Sequence, residues 1–223
     1  MRVRPPVTAK VKFQERAAEL STLPLDRLFT EILESNLWGA EESVSGLGSE
    51  LDATAKLRAK LPQLLRDLGA DSMLDIPCGD FRWLSQTDLP VSRYIGGDIV
   101  EALVQSNRAR YAREFLHLDL CAGNLPKVDV VFCRDCLVHL SFENIHRAIA
   151  SLKLSGSTWL LTTTFLECEE NTNIADGDWR MLNFELAPFQ WKPPARVLVE
   201  GCTESGGGYS DKAIGVWRIS DLP

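Results

Sequence analysis

No stretch of eighteen or more apolar residues runs through this sequence, so nothing in it reads as a membrane-spanning helix. Positive charge is also in short supply. The 24 Lys and Arg are outnumbered by 31 Asp and Glu, the formal charge is −7 and the pI is about 5.1. A field of that sign repels phosphate backbones and anionic lipid headgroups, so neither nucleic acid nor a membrane is expected as a partner. The first residues, MRVRPPVTAKVKF, are basic but lack the apolar core of a secretory signal. The reading is a soluble, unexported, cytoplasmic protein. No internal repeat is visible, and no second C-x-x-C accompanies Cys133 and Cys136. The six cysteines, Cys78, Cys121, Cys133, Cys136, Cys168 and Cys202, are scattered rather than spaced as a small secreted scaffold, which fits reduced thiols.

What is present is enough apolar material for a core: 223 residues, 45% of them hydrophobic, with one domain as the default. Residues 1–48 differ from the rest and read as an N-terminal helical cap and loop. Phe13 to Leu33 has helical spacing interrupted by STLPLD, which predicts two short helices around a turn at Pro24. The Gly- and Ser-rich SNLWGAEESVSGLGSE follows as a loop. Leu51, Leu57, Leu61, Leu64, Leu65 and Leu68 then mark a helix face, with Ser49 as N-cap, Gly69 as stop and Pro62 expected to kink or split it.

From residue 72 the period changes, and the core of the chain is expected over 49–223. Strands are expected at 72–77, 93–99, 114–120, 129–134, 158–165, 196–201 and 213–219. Helices fall at 101–111 and 142–152, the second capped by Ser141. Alternation of this kind predicts an α/β fold: a doubly wound, seven-stranded, mostly parallel sheet, with the last two strands an antiparallel pair joined by ESGGGYSD.

Ligands of such sheets bind beyond the carboxyl ends of the strands, where strand order reverses. The stretch MLDIPCGDFRWL ends the first strand there, with Cys78, Gly79 and Asp80 as a tight turn that lets a ligand approach backbone. Nineteen residues past Gly79, Asp98 in YIGGDIV is placed to accept both hydroxyls of a ribose. Asp119 in FLHLDL ends the third strand, within reach of an adenine amine. A pyrophosphate-binding turn wants several glycines, and this turn has Gly79 alone. Asp75, Asp80, Asp98 and Asp119 would attract a cationic nucleoside and repel a pyrophosphate.

These residues resemble the class I S-adenosylmethionine-dependent methyltransferases over roughly residues 50 to 220. The family's first turn is close to acid-x-Gly-x-Gly-x-Gly; Asp75 and Gly79 match, while Pro77 and Asp80 stand where glycines are usual. LDIPCGD followed by Trp83, with SGLGS ahead and CRDCLVHL behind, resembles a subgroup that includes bacterial sugar and polysaccharide O-methyltransferases. The resemblance implies a Rossmann-like methyltransferase fold and S-adenosylmethionine as cofactor. It puts Asp75, Pro77, Cys78, Gly79, Asp80 and Trp83 around the amino-acid end, Asp98 and Ile99 at the ribose, and Asp119 and Leu120 at the adenine. Ser45, Gly46 and Ser49 in ESVSGLGSELDAT form either a clamp on the cofactor carboxylate or a flexible linker.

The same resemblance makes VDVVFCRDCLVHLSFENI the segment facing the transferred methyl, with Arg134 on the cofactor side. An alcohol nucleophile must lose a proton as its bond to carbon forms, which suits His139 as base, with Asp135 fixing its tautomer or binding acceptor hydroxyls. At His139 a second reading stands beside the first, a helix-start residue bonded to backbone. His117 and His146 read as structural. The acid- and amide-rich ECEENTNIADGDW near Asp135 supplies oxygen ligands of the type Mg²⁺ or Ca²⁺ takes, or else is a solvated loop. Trp38, Trp83, Trp179 and Trp191 fall in loops or caps, where a sugar ring or adenine stacks, or where a lid packs. The acceptor implied is a small molecule or oligosaccharide, methylated on a hydroxyl. Alternatives are N- or O-methylation of a non-carbohydrate, or a cofactor-binding module without turnover. CRDC stands where amide and base N-methyltransferases often carry (D/N)-P-P-(Y/F). The sequence leaves a homodimer open.

Overall fold

The computed structural model describes residues 4–223, so the first three residues of the 1–48 cap lie outside the described residues. Seven strands form one sheet: β1 Ser72–Asp75, β2 Arg93–Asp98, β3 Glu114–His117, β4 Val130–Cys133, β5 Trp159–Phe165, β6 Arg196–Val199 and β7 Lys212–Arg218. Their order is β3-β2-β1-β4-β5-β7-β6. The first five run parallel, and β7 is antiparallel to both of its neighbours. The doubly wound expectation holds. The last strand, however, inserts between β5 and β6, with Lys212 opposite Phe165.

Most strands end one to three residues short of the expected positions, while β5 ends at Phe165 as expected and β7 begins one residue earlier, at Lys212. β3 stops at His117, so Asp119 is not a strand-ending acid; it sits in the following turn, where its Oδ1 accepts from the Cys121 N–H at 2.7 Å.

Both faces of the sheet are covered, which is why β1 and β4 read as unbroken apolar runs. Met73, Val130 and Phe132 face α4 (Leu51–Asp67) and α5 (Glu101–Arg110). Leu74, Val131 and Cys133 point to the opposite face, where Ile145, Ala148, Ile149 and Leu152 of α6 (Phe142–Ser155) pack. Ser141 caps α6 as expected, its Oγ accepting from Asn144 N–H. α4 departs from two of the readings offered for it, a split at Pro62 and a cap at Ser49. Pro62 neither splits nor ends the helix, since Leu57, Leu61, Leu64 and Leu65 are buried on both sides of it. Glu50, not Ser49, is its N-cap, because Leu47–Ser49 forms a separate turn of 3₁₀-helix.

The cap has three short helices rather than two: α1 Thr8–Glu15, α2 Ala17–Leu20 and α3 Leu25–Glu34. Arg16 leaves helical geometry and pairs with Glu19 and Glu31, and Pro24 begins α3. Phe13, Leu20, Leu28, Ile32 and Leu37 form a small core of their own, and Leu25 and Phe29 join it to the main one.

Candidate functional site

A cavity opens over the carboxyl-end rim of the sheet. Asp75, Asp98, Arg134, Asp135, Phe165 and Lys212 line its floor, while Val7, Thr8, Leu25, Phe29, Leu33 and Trp38 of the cap close over it. It lies where β1 meets β4, the point at which the strand order reverses.

The turn after β1 is held from three directions. Gly79 N–H donates to Asp98 Oδ2 at 3.0 Å, Asn107 of α5 donates to the Gly79 carbonyl at 2.7 Å, and Cys78 N–H donates to the Gly97 carbonyl at 2.8 Å. Gly79 has φ of +54°, and a Cβ there would lie 2.1 Å from Ser45 Oγ. The position therefore needs glycine on two independent grounds. Ser45 Oγ accepts from Asp80 N–H at 3.1 Å, and Asp80 Oδ2 accepts from the Ser43 hydroxyl and Val44 N–H. Asp80 Oδ1 takes Arg82 N–H. Asp80 lines the cavity, but its oxygens fasten the 43–45 loop to the turn rather than standing free at a rim. Gly46 and Ser49 also line the cavity, and Ser49 is buried.

Burial changes the electrostatics expected of the acids. It pushes the Asp75 carboxyl up to about 8, against the bond it accepts from Tyr94 OH at 2.8 Å. Near neutral pH that side chain is largely protonated and adds little negative charge. Burial also raises Asp98, to about 6, with the N–H groups of Val100 and Gly79 opposing the rise. Asp98 stays mostly ionised, and each oxygen, having accepted one N–H, keeps a further lone pair for a hydroxyl.

Beyond β4 lies an ion-pair network. Arg134 Nε and Nη2 donate to Glu200 Oε2 at 3.1 and 2.8 Å, its Nη2 also reaches the Gly48 carbonyl, and its Nη1 lies 3.1 Å from Asp135 Oδ2. Its guanidinium sits 5.5 Å from the Trp83 ring, which packs edge-on against Phe132 and also lines the cavity. Lys212 Nζ is 2.6 Å from Asp135 Oδ2 and 3.6 Å from Glu204 Oε1. Burial works against the charge on Asp135, but Arg134 and Lys212 outweigh it and hold its carboxyl far below the usual range. Asp135 has φ of +52°, fixed by Thr163 Oγ1 accepting its N–H at 2.8 Å.

His139 is buried, and its Nδ1 is 2.8 Å from the Asp178 carbonyl. A carbonyl only accepts, so Nδ1 carries the proton and Nε2 is left with a lone pair. The backbone contact expected in the structural reading is thus present, and His139 lines the cavity as well. The tautomer is fixed by Asp178, not by Asp135. Burial lowers the imidazole pKa below its ordinary value, the Asp178 carbonyl and Asp135 only partly offsetting this. Trp38 packs on the ring with centroids 5.1 Å apart.

In the 167–179 loop Glu169 and Glu170 are exposed, while the side-chain oxygens of Asn171, Asn173, Asp176 and Asp178 are spent on structure. Asp176 accepts from Ser141 N–H and the Asn144 amide, Asn173 from Phe142 N–H, Asn171 from Asn183 N–H and Asp178 from Trp179 N–H. Among the described residues, no group of three or more His, Cys, Asp or Glu is arranged to hold a metal ion. The described cysteines are unpaired; Cys133 is core and Cys136 lies on the cavity wall. Lys212 and Asn107 carry no local signal in the sequence, and Asp178 carries one only as a member of the acid-rich loop. Each of the three gains its place from chain folded in from 28 to 77 residues away.

The residues present fit a nucleoside cofactor. Asp98 offers paired acceptors to a diol, the Gly79 turn leaves room that a Cβ would fill, and Ile99, Leu103, Leu118 and Leu120 form an apolar slot beside Asp119. No protein-family model and no curated protein matches the chain. Solved structures do. The methyltransferase domain of bacterial CtHen1-CN is 14% identical with a TM-score of 0.55, the match covering 76% of this chain and 100% of that one. The corresponding domain of bacterial CtHen1-C gives the same identity and TM-score over 76% and 98%. Streptomyces venezuelae DesVI is 21% identical over 56% of this chain and 57% of its own, with a TM-score of 0.44. The chain has the Rossmann-like methyltransferase fold. No described helix is long and apolar enough to cross a membrane.

Proposed function

We propose that this chain is an S-adenosylmethionine-dependent methyltransferase whose acceptor is a hydroxyl of a carbohydrate. The observation that carries the reading is His139, neutral and with its tautomer fixed by Asp178, on the wall of the cavity that also holds Asp98 and Gly79. S-adenosylmethionine supplies an electrophilic methyl group on a sulfonium sulfur. Asp98 and Ile99 would hold its ribose, and Asp119 and Leu120 its adenine. Asp75, Pro77, Cys78 and Gly79, with Ser45, Gly46 and Ser49, would border its amino-acid end. Asp80, Trp83 and Arg134 line the same cavity and would border the cofactor too, each also tied to the surrounding fold, to the Ser43 loop, Phe132 and Glu200 respectively.

The chain's own chemistry is then proton removal and orientation. His139 Nε2 accepts the hydroxyl proton, and the imidazolium so formed keeps its Nδ1–H on the Asp178 carbonyl. Asp135, anchored by Arg134 and Lys212, presents a fixed oxygen to a neighbouring hydroxyl of the acceptor. Trp38, Trp179 and Tyr209 line the acceptor half and offer ring faces of the kind sugars pack on.

The test is transfer of a labelled methyl group from S-adenosylmethionine to a panel of glycosides, phenols and amines, alongside calorimetry with S-adenosylhomocysteine. Labelled product from a glycoside, with cofactor binding lost in Asp98→Ala, is expected. No heat with S-adenosylhomocysteine overturns the reading outright.

A further inference from the structure

Among the described residues, five carboxylates that ionise near neutral pH line the cavity, Asp80, Asp98, Asp119, Asp135 and Glu204, beside the largely protonated Asp75, against two cations, Arg134 and Lys212. Neither cation is available to a ligand. Arg134 is committed to Glu200, a side chain 2% exposed, and to Asp135. Lys212 is committed to Asp135 at 2.6 Å, with Glu204 at 3.6 Å and Glu200 at 4.0 Å. The wall that faces an acceptor is therefore saturated on its basic side and in excess on its acidic side. Among the described residues the opposite wall adds no compensating charge, being Val7, Leu25, Phe29, Leu33 and Trp38.

Resting on the methyltransferase reading above, we propose that the acceptor is a glycoside free of carboxylate, phosphate and sulfate, and that Asp135 and Glu204 enforce this choice by neutralising Lys212. An anionic group brought beside the acceptor wall gains no free side-chain cation among the described residues, meets Asp135 and Glu204, and loses its water. A neutral sugar ring meets ring faces and hydrogen-bonding carboxylates. A sugar still linked to a nucleotide carries a diphosphate beside its ring, and that group meets the same acids. Methylation accordingly follows the glycosyl transfer that releases the sugar from its nucleotide.

The experiment uses the full chain saturated with S-adenosylhomocysteine and two probes of one shape, phenyl β-glucoside and phenyl β-glucuronide, which differ by a carboxylate. Calorimetry is expected to give the glucoside at least about tenfold tighter binding, the effect of roughly one uncompensated charge in a partly buried site. Asp135→Asn leaves Lys212 partly unpaired and should shrink that gap at least about threefold. Glu204→Gln, in a looser segment with a side chain 30% exposed, should shrink it too, and it carries the test if Asp135→Asn does not fold. Equal or tighter glucuronide binding overturns the proposal, as does a gap that both folded variants leave unchanged. Binding of S-adenosylhomocysteine with neither glycoside bound also overturns it while leaving the cofactor reading intact, whereas failure of S-adenosylhomocysteine itself removes the reading beneath it.

Discussion

Lys212 Nζ lies 2.6 Å from Asp135 Oδ2 across 77 residues of chain, and the lysine side chain is only 6% exposed. A pair so placed is costly to break from one side, because the remaining charge stays buried without its partner. Lys212→Met leaves Asp135 and Glu200 short of a counter-charge, and the expected loss of stability is about 3–5 kcal/mol. Urea titration measures it; a loss within error of zero would mean that the network contributes nothing to the folded state.

The base assignment is tested by separating rate from binding. In His139→Gln the turnover of a labelled glycoside should drop by about 10²–10⁴, while affinity for S-adenosylhomocysteine stays within about twofold. In the unmodified protein, burial lowers the imidazole pKa, so the base form is already complete at neutrality. The acid limb of kcat/KM therefore falls below pH 6.5. An acid limb above that value, or a His139→Gln chain of full activity, removes His139 from the reaction.

Asp75 makes stability depend on pH in a direction unusual for a carboxylate. Its folded pKa of about 8 exceeds the ordinary 3.8, so between those values the folded chain holds a proton that the unfolded chain has released. Stability falls as pH rises through that window. Asp75→Asn cannot ionise and still accepts from Tyr94, so its advantage over the native chain should grow by about 1–3 kcal/mol from about pH 5 to about pH 8. Denaturant midpoints at the two pH values decide this, and a constant difference sinks it.

At Gly79 strain and contact are separable. Gly79→Ala incurs about 1 kcal/mol for left-handed backbone and also drives its methyl into Ser45 Oγ, so cofactor affinity should fall sharply. Adding Ser45→Gly removes the collision, along with the Ser45 acceptor for Asp80 N–H, and leaves the backbone strain, so the double variant is compared with Ser45→Gly alone. Calorimetry with S-adenosylhomocysteine should therefore show partial recovery in the double variant. Full recovery would discount the strain, and none would place the damage elsewhere.

The sheet was legible because strands buried on both faces spell themselves as apolar runs, and β1, β4 and β5 do so plainly. Asp98 was legible from its spacing to Gly79, since one crossover fixes both at the same rim. The insertion of β7 between β5 and β6 was not, because pairing order is decided by packing between segments rather than within one. Asp80 shows the limit for single residues. Its identity announces a carboxylate, yet whether the oxygens face a ligand or bind Ser43 and Val44 depends on a loop 36 to 37 residues upstream. The partner of His139 escaped for a related reason: Asp178 acts through its backbone carbonyl, which every residue possesses.

The reversed direction of β7 has an outcome that the parallel strands cannot supply. Strands that all point one way deliver their final residues to the ligand side, here Asp75, Asp98 and Phe165, whereas a strand laid head-to-tail among them delivers its opening residue, Lys212. The 201–210 connection leading toward that residue lies outside the hydrogen-bonded ladder. Changes in its length can therefore move Glu204 and Tyr209 against the acceptor while the pairing of Phe165 with Lys212 holds the sheet in register, which separates evolution of what is bound from preservation of what folds.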